Sequence, residues 1–200
     1  LTIRSIKLYA DGALGSRGAW LIEDYHDAEG EHGHIVTPVE SLKKVTEEGF
    51  NNGFQICTHA IGDMANREVL NIYNKHLNPG NDRRFRIEHS QHIDLVDIPR
   101  FGELGVIAAI QGIHMSSDRP WAIDRLGRKR IIESAYPWQK LFQSGAIIVN
   151  GTDAPVEPIN PIASFYASVS RKTLNKTPEG GYEPEEKMSR ELALRTYTIN

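Results

Sequence analysis

Short apolar runs alternating with helix-patterned stretches constrain this chain more than any other feature. Phe54-Gln55-Ile56-Cys57, Phe85 to His89, Val106-Ile107-Ala108-Ala109-Ile110 and Ala146-Ile147-Ile148-Val149 each read as a strand. Leu1 to Ala10 alternates and then runs apolar, adding a strand that carries Lys7. These runs are too continuously apolar for antiparallel sheets with one wet face. Buried parallel strands joined by helices account for them, so the expected class is α/β.

The helix signals fall between the strands. Thr37-Pro38-Val39-Glu40 reads as a helix start with Thr37 as N-cap, ending at Asn52-Gly53. Asp63 reads as the N-cap of a second helix running towards Leu77. Shorter helices are expected over Val96 to Glu103 and Ser134 to Ser144, with a basic helical segment after Trp121. Pro161 to Lys172 and Ser189 to Tyr197 complete the set. The glycine-rich loop Asp11 to Ala19 lacks the Lys-Ser/Thr ending of a phosphate loop, and reads as a substrate-facing or packing loop. His32-Gly33-His34 follows no apolar strand and reads as solvated loop.

The 200 residues suffice for one domain, with no composition shift to mark a second. A net charge of -3 without a basic stripe argues against a nucleic-acid partner. The clusters Arg83 to Arg86 and Arg125 to Arg130 read as solvated faces. No apolar run approaches a membrane span. The single cysteine, Cys57, lies inside a strand and permits no intrachain disulfide, which fits a reducing, cytoplasmic setting.

The chemistry lies at the strand ends. Successive strands terminate near Lys7, His59, His89, His114 and Asp153. In a parallel barrel all strand ends converge on one face, so these side chains can meet although distant in sequence. Imidazole and carboxylate are ligand types for zinc and related divalent ions. A carboxylate beside an activated water can take its proton and later deliver it to a leaving group, a role that suits Asp153.

Four motifs carry a family resemblance: Lys7-Leu8-Tyr9-Ala10-Asp11-Gly12-Ala13-Leu14-Gly15-Ser16-Arg17, Thr58-His59-Ala60-Ile61-Gly62-Asp63, Arg86-Ile87-Glu88-His89-Ser90-Gln91-His92 and Gly151-Thr152-Asp153-Ala154-Pro155-Val156. In this order they resemble the amidohydrolase superfamily, in the branch of the N-substituted formamide deformylases and related metal-dependent hydrolases. The resemblance implies a partial (β/α)8 TIM barrel, roughly strands 4 to 8. Strands 1 to 3 and the accessory β-sandwich are absent, so residues 1–200 would be a fragment of a longer enzyme. It implies that Lys7 is carbamylated and bridges two metals, that His59 and His89 are metal ligands, and that Asp153 is both ligand and general base. Gln111 and His114 would contact substrate, with His92 there or behind a ligand; for His92 and His114 a structural role stands beside the functional one.

The implied cofactor is a divalent metal, zinc, with one or two ions. The implied reaction is hydrolysis of the C–N bond of an amide, formamide or cyclic amide by metal-activated water. Two alternatives stay open: a mononuclear zinc deaminase-type site with unmodified Lys7, and a non-catalytic binding or regulatory module. The isolated chain is expected to be inactive. Its partners are expected to be a small-molecule substrate and, through exposed sheet edges, another copy of itself.

Overall fold

The computed structural model describes residues 1–200. Five strands, β1 (Ser5–Tyr9), β2 (Gln55–Ala60), β3 (Arg86–His89), β4 (Ile107–Ile110) and β5 (Ile148–Asn150), form one sheet in chain order. Every neighbouring pair is parallel. The α/β class expected from continuous apolar runs is therefore the architecture observed. Seven α-helices accompany the sheet: α1 (Val39–Asn51), α2 (Asp63–Tyr73), α3 (Ile98–Leu104), α4 (Gly112–Glu133), α5 (Trp138–Gln143), α6 (Pro161–Ser170) and α7 (Arg190–Thr198). No helix is long and apolar enough to cross a membrane.

Side chains alternate across a strand, and the two sheet faces differ sharply. Ile56, Ala60, Ile87, Ala108, Ile110 and Ile148 join one apolar core with buried helix residues such as Leu42, Val69, Phe101 and Leu141. The intervening positions include Lys7, His59 and Glu88. The register pairs Lys7 with Cys57, Tyr9 with His59 and His59 with Glu88, so this second face carries charge and imidazole. β1 and β5 are the two edges. Leu1, Ile3 and Tyr9 are exposed along the first, and Val156, Ile159 and Ile162 beyond the second.

Several element boundaries differ from the sequence reading. β2 runs on through His59 to Ala60, because β1 and β3 pair with those residues. α1 starts at Val39 after Pro38, and Thr37 supplies no cap. α2 starts at Asp63 with Gly62 as N-cap, since the Trp20 carbonyl accepts from the Met64 and Ala65 N–H groups (3.2 and 3.3 Å) where a capping side chain would otherwise act. It ends at Tyr73, short of Leu77. The helix expected over Ser134 to Ser144 is only Trp138–Gln143, because Ser134 closes α4 and Pro137 precedes α5.

α4 begins at Gly112, well before the basic helical segment expected after Trp121. Its 22 residues form two helical stretches joined across Gly127, where φ is 73°. Its first turn is nested against α6: the Gly112 N–H donates to Asn150 Oδ1 and the Ile113 N–H to Ser164 Oγ, both at 3.0 Å. A Cβ on Gly112 would stand 2.1 Å from Ser168 Oγ, so glycine is required for this approach.

The loop after β1 is clamped onto the β2–α2 turn by one carboxylate. Asp11, 1% exposed, accepts from the backbone N–H groups of Trp20 (2.9 Å), Ile61 (3.0 Å) and Gly62 (2.8 Å). A Cβ on Gly62 would lie 2.0 Å from the Trp20 carbonyl oxygen. Hydrogen bonds to a buried charge contribute more than neutral ones, and orphaned buried N–H groups cost about 1–3 kcal/mol each. Asp11→Ala is expected to lower stability by about 3 kcal/mol or more, and Gly62→Ala also to destabilise, measured by urea unfolding; wild-type midpoints for both would contradict this clamp.

Candidate active site

A cavity of about 470 Å³ opens at the carboxyl ends of the strands. β1 contributes Lys7 and Tyr9, β2 contributes His59, and β3 contributes His89. His114, Asp118 and Trp121 come from one face of α4, at i, i+4 and i+7. Asp153 and Glu157 come from the loop after β5, and Leu14 and Gly15 from the clamped loop.

Three donors meet here. One nitrogen each of His89 and His114 and a carboxylate oxygen of Asp153 all lie within 4.8 Å of one another. His114 Nε2 is 3.9 Å from Asp153 Oδ2, and the His89 and His114 rings are nearly parallel with centroids 5.8 Å apart. His59 stands edge-on to His89 at 4.4 Å, outside the trio. His59 Nε2 is 3.4 Å from Asp11 Oδ1 without a hydrogen bond.

His59 Nε2, His89 Nδ1 and His114 Nε2 are all buried with no hydrogen-bond partner. Buried polar atoms are normally paired, so three orphaned imidazole nitrogens beside a carboxylate fit a divalent cation. Burial holds the His89 and His114 rings below the usual histidine range; the neighbouring His59 and His114 add to this for His89, while Asp153 pulls His114 the other way. Neutral imidazole is the form that ligates metal. Burial also lowers the Lys7 ammonium, opposed by Glu88 and Asp153. Lys7 Nζ lies 5.0 Å from the Tyr9 ring centroid. His89 and Asp153 both adopt left-handed backbone, with φ of 77° and 56°. Non-glycine residues hold that conformation only where the surroundings enforce it.

The residues singled out from sequence divide in space. Lys7, His59, His89, His114 and Asp153 all line the one cavity. Gln111 and His92 do not. The Gln111 Nε2 donates to the Ala109 carbonyl (3.1 Å). His92 is 1% exposed and packed edge-on to Tyr136, where burial and Arg130 push its ring down to about 3. His92 thus sits behind the cavity wall, packed against Tyr136. His114 lies in the first turn of α4, among the donors. His32 pairs with Asp24 at the surface (2.8 Å), as a solvated loop should.

Sequence reasoning missed Asp11, Gln91, Asp118, Trp121 and Glu157. Asp11 stood inside a quoted motif, where a carboxylate amid glycines signals a loop clamp. The only available signal for Asp118 and Trp121 was their helical spacing from His114.

The whole chain, residues 1–200, matches the model of the Amidohydrolase family and belongs to that family. The motif resemblance thus names the family that the full length matches. YtcJ of Bacillus subtilis (strain 168), described as an amidohydrolase, is 35% identical over 194 residues, covering 97% of this chain and 36% of its own. The N-substituted formamide deformylase of Arthrobacter pascens is 24% identical over 201 residues, 98% of this chain and 35% of its own. The crystal structure of an uncharacterized metal-dependent hydrolase from Pyrococcus horikoshii OT3 superposes with a TM-score of 0.86 at 29% identity, covering 98% of this chain and 38% of that one. The chain spans about a third of the length of the curated relatives it matches.

Asp118 gives the cavity a stability signature. Burial, with Glu157 nearby, pushes its carboxyl up to about 6, against Ser117 and Gln91, which pull it down. This lies above the unfolded value of roughly 3.9, so ionisation opposes folding once pH rises through about 6. Asp118→Asn is expected to be more stable than the parent near pH 8, by about 1–2 kcal/mol after screening through the open side. The gap should close below about pH 4 in urea unfolding; a gap independent of pH would rule this account out.

Proposed function

We propose that this chain supplies the metal-holding and proton-transferring part of a hydrolase that cleaves the C–N bond of an amide, formamide or cyclic amide. The observation that carries the reading is the set of orphaned imidazole nitrogens of His59, His89 and His114 beside Asp153 in one cavity. Membership of the Amidohydrolase family and the likeness to a metal-dependent hydrolase support it.

His89, His114 and Asp153 would hold the ion, and His59 and Lys7 are proposed as ligands of a second. A bound divalent cation, zinc by its N/O donor set, supplies Lewis acidity and lowers the pKa of water. The remaining steps belong to the chain. The Asp153 carboxylate is 38% exposed to the cavity, and accepts a proton from the attacking water. It returns that proton to the leaving nitrogen, so the amine departs neutral. Buried Ile61 forms the apolar side of the cavity floor, and Tyr9 and Val156 line its more open edge.

Lys7 decides between one ion and two. As a carbamate it would offer oxygen donors for a second ion; as a free amine it would leave a mononuclear site. Intact mass of the metal-loaded protein distinguishes these, with the mass of one carbon dioxide on Lys7, removed by Lys7→Ala, expected for the two-ion form.

The five βα units are taken as consecutive units of a longer barrel, roughly strands 4 to 8, with β1 and β5 pairing to further strands. Five strands leave both edges open, and closure removes edges. The isolated 200 residues are accordingly proposed to be inactive and to bind zinc weakly. Small molecules are its proposed substrates, and pairing with another copy is the alternative fate of the edges.

The test uses the longer protein that carries this chain, assayed on N-substituted formamides, N-acyl amines and cyclic amides. Turnover is expected, lost to a chelator and restored by zinc. Asp153→Asn should lower kcat by about 10²–10⁴, and metal content measured on the same variant separates loss of proton transfer from loss of the ion that Asp153 also holds. Stoichiometric metal with no turnover of any such substrate would instead favour a binding module.

A further inference from the structure

The α4 face that starts with His114 continues past the donors. Asp118 and Trp121 follow it at one and two helical turns, and both line the same cavity. At 1.5 Å per residue they stand ~6 and ~10 Å from His114 along the helix axis. The carboxylate of Asp118 has no cationic partner. Its neighbours are Gln91 Nε2 (3.4 Å) and the Ser117 hydroxyl, which also reaches Glu157 Oε1 at 2.6 Å. Glu157 also lines the cavity and forms no ion pair. A partly buried carboxylate without a countercharge is costly to keep.

The cations nearby are committed elsewhere. Arg119, the next residue along α4, is held by Glu183 (2.7 Å) and lies over the Tyr182 ring at 4.5 Å. Lys7 is the one Lys or Arg lining the cavity, and it stands on β1 among the strand-end groups. The distal wall can therefore compensate a positive charge but offers none to a carboxylate. Trp121, packed with its indole edge near Gly15, adds a face on which an apolar group or an ammonium can rest.

We propose that Asp118, Gln91 and Trp121, with Glu157 at the rim, form a specificity wall for substrates carrying a protonated amine about one helical turn beyond the scissile C–N bond. This deepens the hydrolase reading above and rests on it for the word substrate, although the binding preference stands by itself. The organic ammonium is favoured over a second metal because apolar Trp121, Leu14 and Val156 share the wall. The amine is recognised and takes no part in the chemistry.

Two measurements separate this inference from the hydrolase reading. The first is binding, followed by calorimetry on the zinc-loaded longer protein with 3-phenylpropylamine, 3-phenylpropanol and 3-phenylpropionate as probes. The amine is expected to bind at least tenfold more tightly than the alcohol. Asp118→Asn should erase that preference, and Trp121→Ala should weaken both amine and alcohol. The variants' thermal unfolding transitions and zinc content show that the fold and donors are intact. The second is hydrolysis of N-formyl derivatives of a diaminoalkane, the matching alkylamine and the matching amino acid. The ammonium form should lead in kcat/KM, and Asp118→Asn should flatten the series. Tighter binding of the propionate, or an amine preference that survives Asp118→Asn, would overturn the wall. Absence of hydrolysis alongside the expected binding order would overturn only the hydrolase reading.

Discussion

Three backbone N–H groups from two separate segments converge on the Asp11 carboxylate, and the mouth of the sheet takes its shape from that point. The loop after β1 would otherwise be a glycine-rich excursion with little to hold it. Tied by Asp11, it brings the Trp20 carbonyl over the start of α2 and leaves no room for a side chain at Gly62. The same carboxylate comes within 3.4 Å of His59 Nε2. One buried acceptor thus links the clamp, the turn after β2 and a donor of the site, while Leu14 and Gly15 of that loop wall the cavity. A neutral side chain could not satisfy three donors with the same strength.

The donors themselves stand in enforced backbone. His89 ends β3 and Asp153 follows β5, both with positive φ, where a side chain costs of order 1–3 kcal/mol. The neighbourhood of His89 is over-determined: the Ser90 hydroxyl donates to the Ile87 carbonyl (3.0 Å), and the His92 N–H to the Ile61 carbonyl (3.0 Å). Asn66 Nδ2 donates to the carbonyls of Ala60, Gly62 and His92, joining the ends of β2 and β3 from inside α2. Positive φ at His89 and Asp153, beside imidazole nitrogens without hydrogen-bond partners, sets this region apart from the rest of the sheet.

Much of this was legible in the residues. The continuous apolar run Ile107 to Ile110 demands burial on both faces, which a parallel strand under helices provides. Lys7, His59, His89 and Asp153 were legible because strand ends converge in any parallel sheet of this kind. The course of α4 was not. Pro120 lies inside the helix, Gly127 interrupts it with non-helical backbone, and the segment is tied down by partners far away in sequence. Arg119 pairs with Glu183, the Arg125 guanidinium donates to the Gly15 carbonyl, and that of Arg130 to the carbonyls of Glu23 and Asp24. Local propensity cannot see such contacts, so the helix that puts His114 among the donors, and Asp118 and Trp121 along the wall, stayed hidden.

By itself the sequence determined the α/β class and the family, because these follow from hydrophobic periodicity and from motifs that are contiguous in the chain. Only the tertiary structure decided which of the strand-end residues share a cavity. It moved His92 behind the wall, joined His114 to His89 and Asp153, and left Asp118 facing the cavity without a countercharge. The reason is geometric. Hydrogen-bond register and helix docking set the direction in which a side chain points, and both are fixed by residues tens of positions away from it.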